Sequence, residues 1–71
     1  MPKKKIAILT QTEVRIIALI CKQYTNEEIG NALKLRKRTI ESYRNDFKKK
    51  IKAKNTAGIV IYAIKNGIYK I

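Results

Sequence analysis

An all-α fold of four short helices is what this 71-residue sequence predicts, and three observations carry the prediction. Thr10-Gln11-Thr12-Glu13 and Thr25-Asn26-Glu27-Glu28 both have the capping-box spacing, in which a hydroxyl and a carboxylate three residues on satisfy each other's backbone donors at a helix start. Ile40, Tyr43, Phe47 and Ile51 recur at helical spacing. The breaks between periodic segments (Gln23-Tyr24, Lys34-Leu35-Arg36 and Ala53-Lys54) are short enough to hold neighbouring helices in a tight bundle.

The first helix begins at the Thr10 cap. Val14, Ile17, Ala18 and Cys21 fall on one face, and Ile16, Leu19 and Ile20 widen it. Leu9, just before the cap, is placed to staple onto this helix, and Cys21 reads as a small buried hydrophobe. The second helix opens at Thr25 and runs for about nine residues, too short to be stable alone. Glu27 and Glu28 lie in its first turn, where the helix dipole favours acids. Ile29, Ala32 and Leu33 form its apolar face, and Tyr24 is expected to pack beside it.

The third helix spans Lys37 to Ile51. At about 100° per residue, Arg38, Glu41, Ser42, Asn45, Lys49 and Lys52 lie opposite the apolar stripe. This helix therefore has a side to bury and a polar, mostly basic side. The fourth starts at the Asn55 cap and stops at Asn66-Gly67. Its run from Ile59 to Ile64 is apolar nearly all round. So β-branched a run would also suit a strand, and Gly58 weakens a helix start, but the caps and the lack of a second strand favour helix.

A chain of this length holds one domain, here residues 9–71, with residues 1–8 as a linker or N-terminal extension. Its core is marginal, so a partner or subunit pairing would add stability. The net charge of +12, from 17 basic and 5 acidic side chains, favours a polyanion: nucleic acid first, an anionic membrane surface second. A membrane-surface helix needs a broad aromatic and apolar face, and this chain has no Trp and one Phe. No apolar run approaches the length of a membrane span.

There is no histidine, so the usual general base and the commonest metal ligand are missing. With neither a carboxylate pair in a likely cleft nor a phosphate-cradling glycine loop, the sequence points to no enzyme activity, metal, cofactor or small-molecule ligand. A lone cysteine makes no internal disulfide and fits a reducing cytoplasm.

The second and third helices, joined by Lys34-Leu35-Arg36, are forced into a sharp crossing, as in helix-turn-helix units. Gly30 costs roughly 1 kcal/mol relative to Ala inside a helix, and a tight crossing by the next helix would justify it. Leu35 is expected to plug into the core. Ten basic residues lie between Lys34 and Lys54, against only Glu41 and Asp46. A helix has the right width for the major groove of DNA, where each base pair shows its own pattern of donors and acceptors. Lys37, Arg38, Thr39, Lys48 and Lys49 are candidate phosphate contacts. Glu41, Ser42 and Asn45 are placed to read base edges, a carboxylate accepting from cytosine. Tyr43 reads as core-edge packing, and Arg44 as a half-buried stem whose head can snorkel to a phosphate.

Leu9-Thr10 with Glu13, Thr25-Asn26-Glu27-Glu28-Ile29-Gly30, Leu33, Thr39-Ile40, Lys50-Ile51, Asn55, Tyr62-Ala63-Ile64 and Gly67 share an order and spacing. In these residues, from Leu9 to about Ile68, the chain resembles the LuxR/NarL/GerE-type helix-turn-helix family. The resemblance implies a tetrahelical domain whose third helix enters the major groove and whose fourth makes a dimer contact. It implies a transcriptional regulator, commonly the output domain of a response regulator. The chain departs from the family at Gln23 and Lys52, where glycine is common, and at Arg36, where a capping Ser or Thr is usual. It departs again at Glu41, where a basic residue is frequent.

On the fourth helix, Ala57, Ile61 and Ile64 can cover the core. Thr56, Ile59, Val60 and Ala63 would then form an exposed apolar patch, for which two-fold pairing is the natural cover. The expected partners are therefore double-stranded DNA, read as an inverted repeat, and a second copy of the chain. The rival reading is a protein-interaction module that docks RNA polymerase or an acidic partner without reading bases.

Overall fold

All four expected helices form, each starting at its expected cap. The computed structural model describes residues 9–70, so the expected linker at 1–8 lies outside the described residues. The helices are α1 (Gln11–Cys21), α2 (Asn26–Leu33), α3 (Lys37–Lys50) and α4 (Thr56–Lys65), and the described residues contain no strand.

Both capping boxes close. The Thr10 hydroxyl accepts from the Glu13 amide at 3.2 Å, while Glu13 Oε1 accepts from the Thr10 amide at 2.9 Å. Thr25 and Glu28 repeat the exchange at 3.1 and 2.8 Å. Asn55 Oδ1 accepts from the Gly58 amide at 3.1 Å and starts α4. Arg36 precedes α3 in cap geometry but makes no side-chain cap bond, which leaves first-turn donors of that helix without the usual partner.

Helix ends explain the cost of the departures at Gln23 and Lys52. Gln23, Lys34 and Lys52 all have left-handed backbones, with φ of 70°, 60° and 59°. The chain turns back at each: the Tyr24 amide donates to Leu19 O, Leu35 to Gly30 O and Ala53 to Lys48 O. Such closures suit glycine, and a side chain there costs roughly 1–2 kcal/mol. Gly67, after α4, is the one such position that glycine does fill.

The core is built from Leu9, Ile16, Ile17, Ile20, Ile29, Ile40, Phe47, Ile59 and Ala63. Burying an aliphatic side chain of this size stabilises by about 1.5–3 kcal/mol. The centre of the α1 stripe differs from expectation. It runs Glu13, Ile16, Ile17, Ile20, and Val14, Ala18, Leu19 and Cys21 flank it half-buried. A charged residue at the stripe's first position hid this register. Tyr24 is exposed instead of packing beside α2.

On α4 the expected faces are exchanged. Ile59 and Ala63 are fully buried against α1, while Ala57, Ile61 and Ile64 point outward, Ile61 54% and Ile64 39% exposed. Ile59 and Ala63 therefore cannot belong to a surface patch; of the expected dimer residues only Thr56 and Val60 reach the surface. The reason is that packing against α1 selects the buried side of α4. An apolar run on all sides carries no phase of its own.

Candidate nucleic-acid interface

The unit that positions the candidate site is α2, the turn Lys34–Arg36, and α3. Gly30 is buried, and a Cβ built on it would lie 2.6 Å from the Leu35 carbonyl oxygen. The close approach expected at Gly30 is thus to the backbone of the turn, before the next helix begins. Leu35 is half-buried and packs against the core.

Within α3, Ile40 and Phe47 are fully buried, and Tyr43 and Ile51 pack half-buried at the core edge. That anchors one side and frees the other. Lys37, Arg38, Glu41, Ser42, Asn45 and Lys49 are exposed, and Thr39 and Lys48 are half-exposed. The structure therefore brings all eight expected DNA-contacting residues onto the outer side and flanks of one helix. At 1.5 Å per residue this helix is about 21 Å long.

Glu41 makes no ion pair with Lys37 or Arg38, since the one ion pair among the described residues joins Lys50 and Glu13. Lys50 Nζ lies 2.9 and 3.0 Å from the two carboxylate oxygens of Glu13. Burial pushes the Glu13 pKa up, but the Thr10 amide and the Lys50 ammonium outweigh it, and the carboxyl sits below its ordinary value. This link between the ends of α3 and α1 was not visible in the sequence, because 37 residues separate the partners.

Arg44 behaves as a packing residue with a polar task. Its stem is half-buried, burial lowers its pKa, and its guanidinium donates to Thr56 Oγ1 at 2.9 Å. It ties α3 to the first turn of α4. With Arg44 and Lys50 engaged inside the fold, the other eight basic residues between Lys34 and Lys54 remain without an ion pair among the described residues. Burial raises the pKa of the half-buried Cys21 thiol.

Among the described residues, no helix is long and apolar enough to cross a membrane. The arrangement can do one thing well: present an uncovered cationic helix, with short polar side chains along its middle, to an anionic grooved partner.

The comparisons agree with this geometry. The family model GerE, described as bacterial regulatory proteins of the luxR family, matches residues 7–63. The transcriptional regulatory protein MctR of Rhizobium johnstonii is 38% identical over 60 residues, which cover 84% of this chain and 28% of that protein. The transcriptional regulatory protein DegU of Brevibacillus brevis is 29% identical over 69 residues, covering 97% and 29%. The response regulator protein VraR of Staphylococcus aureus is 30% identical over 61 residues, covering 86% and 29%. The chain thus spans less than a third of the length of these relatives. No solved structure gives a significant match.

Proposed function

This chain belongs to the luxR family of bacterial regulatory proteins, and from that premise we propose that it binds specific double-stranded DNA as the output domain of a transcriptional regulator and does so as a dimer. The observation that carries the reading is the outer side of α3, cationic and uncovered, held against the body by Ile40 and Phe47. Lys37, Arg38, Lys48 and Lys49 neutralise phosphates, and Thr39 adds a hydroxyl. Glu41, Ser42 and Asn45 face base edges.

Pairing uses the outward stripe of α4. Val60, Ile64, Ala57 and Ile61 fall within about 100° of one another around that helix. The patch is apolar and exposed or half-exposed, and two isoleucines are its largest side chains. Joined two-fold through it, two copies would present their α3 helices to successive turns of one face of a duplex. The similarity to response regulators supports placing the domain in a longer protein in the cytoplasm, controlled by another part of that protein.

Selection of binding sites from a random duplex pool tests the whole reading. The expected winner is a two-fold symmetric sequence bound with a steep salt dependence. Four cations per copy give a slope of about −3 to −4 in log K against log salt, and about twice that for the dimer. No enrichment together with a flat salt response would remove the DNA-binding reading. In that case binding to RNA polymerase or another acidic protein becomes the better account. Sedimentation of Ile61→Lys checks the pairing separately, with a monomer expected on the duplex at concentrations where the parent chain is dimeric.

A further inference from the structure

We propose that Lys34 and Lys52 form a pair of phosphate contacts bracketing α3, each carried on a strained left-handed backbone. The proposal rests on the DNA-binding reading and adds two contacts to it. Both residues occupy left-handed turns that the helix-ending hydrogen bonds demand, Leu35 N–H to Gly30 O at 2.8 Å and Ala53 N–H to Lys48 O at 2.9 Å. Glycine takes this conformation freely, whereas any side chain brings Cβ against the following carbonyl.

Among the described residues, no side-chain hydrogen bond or ion pair offsets that strain. Both lysines are exposed, and neither has an ion pair among the described residues. A strained residue that the fold does not need is a pointer to a role outside it. The positions suit one. Lys34 stands three residues before the start of α3 and Lys52 two residues after its end. Where a helix about 21 Å long crosses a major groove about 12 Å wide, lysines at its two ends come within reach of the phosphates on either side.

Gln23 has the same strain without the charge, and it lies between α1 and α2, at neither end of α3. It separates the cost of the backbone from the use of the side chain. Lys22, exposed at the end of α1, carries the same charge without the strain and separates position from net charge.

The test compares Lys34→Gly, Lys52→Gly, Gln23→Gly and Lys22→Gln in the 71-residue chain. Each is assayed for thermal unfolding and for binding to a short mixed-sequence duplex across a salt series. All three glycine variants are expected to melt several degrees higher. Lys34→Gly and Lys52→Gly are each expected to bind about 5- to 10-fold more weakly near 0.1 M salt, with the slope shallower by about 0.9 per copy. Gln23→Gly and Lys22→Gln are expected to bind like the parent.

Parent-like binding by Lys34→Gly and Lys52→Gly overturns the proposal. So does an equal loss in Lys22→Gln, which would make the lysines part of a diffuse charge, or unchanged melting in the glycine variants, which would remove the strain. Absence of salt-dependent duplex binding by the parent chain would instead remove the DNA-binding reading on which the proposal stands.

Discussion

Lys50→Met isolates the one ion pair among the described residues. Glu13 is 3% exposed and its carboxylate takes three hydrogen bonds, one from the Thr10 amide and two from Lys50. Removing one partner of a fully buried pair costs about 3–5 kcal/mol, because the remaining charge is stranded. Lys50 is 38% exposed, so water partly replaces it and the cost falls towards that of a hydrogen bond to a charged group. That leaves about 2 kcal/mol, or roughly 10 °C in Tm for a domain this small. The pH dependence has a definite sign. The folded-state pKa of Glu13 is depressed, so its stabilisation is present in full above the ordinary glutamate range and is lost as pH falls through the folded value. Glu13→Gln is therefore expected to lose less stability than the parent between about pH 5 and pH 2. Thermal unfolding followed by far-UV circular dichroism at several pH values reads both effects. A Tm for Lys50→Met equal to that of the parent, or an acid limb unchanged in Glu13→Gln, would refute the assignment of this pair.

Three other perturbations have definite expected outcomes. Gly30→Ala gains about 1 kcal/mol of helix propensity but drives a Cβ to 2.6 Å from the Leu35 carbonyl, a backbone atom, so urea unfolding is expected to show a net loss of about 1–3 kcal/mol. Arg36→Ser supplies the missing side-chain cap of α3 in a backbone already in cap geometry, and the same assay should show a gain of about 1 kcal/mol. Lys49→Ala is expected to weaken binding to every duplex alike, whereas Glu41→Ala or Asn45→Ala changes which sequence is selected; identical behaviour of all three would undo the division between positioning and reading.

What was legible in advance was local. A capping box is a contact between residues three apart, so Thr10, Glu13, Thr25 and Glu28 announce two helix starts without knowledge of the fold. The α3 stripe was legible because Ile40, Tyr43 and Phe47 alternate with strongly polar residues, which gives the helix a phase. The left-handed turns at Gln23 and Lys52 were foreshadowed by the resemblance, through glycines the family commonly has there, but Lys34 was not. The phase of α3 was therefore legible, and the eight candidate contact residues lie exposed or half-exposed along it, whereas the left-handed turn at Lys34 had no such signal.

By itself, the order of residues determined the helices, their caps, the concentration of positive charge on one segment and the side of α3 that turns inward. Tertiary structure alone decided three matters. It chose which stripe of α4 is buried, because a helix apolar all round has no preferred side until α1 packs on it. It buried Glu13 at the head of the α1 stripe, because a carboxylate enters a core only when a cation arrives from elsewhere in the chain, here Lys50. And it made Gly30 obligatory by laying the turn's own carbonyl over it, a contact that spacing along the chain does not reveal.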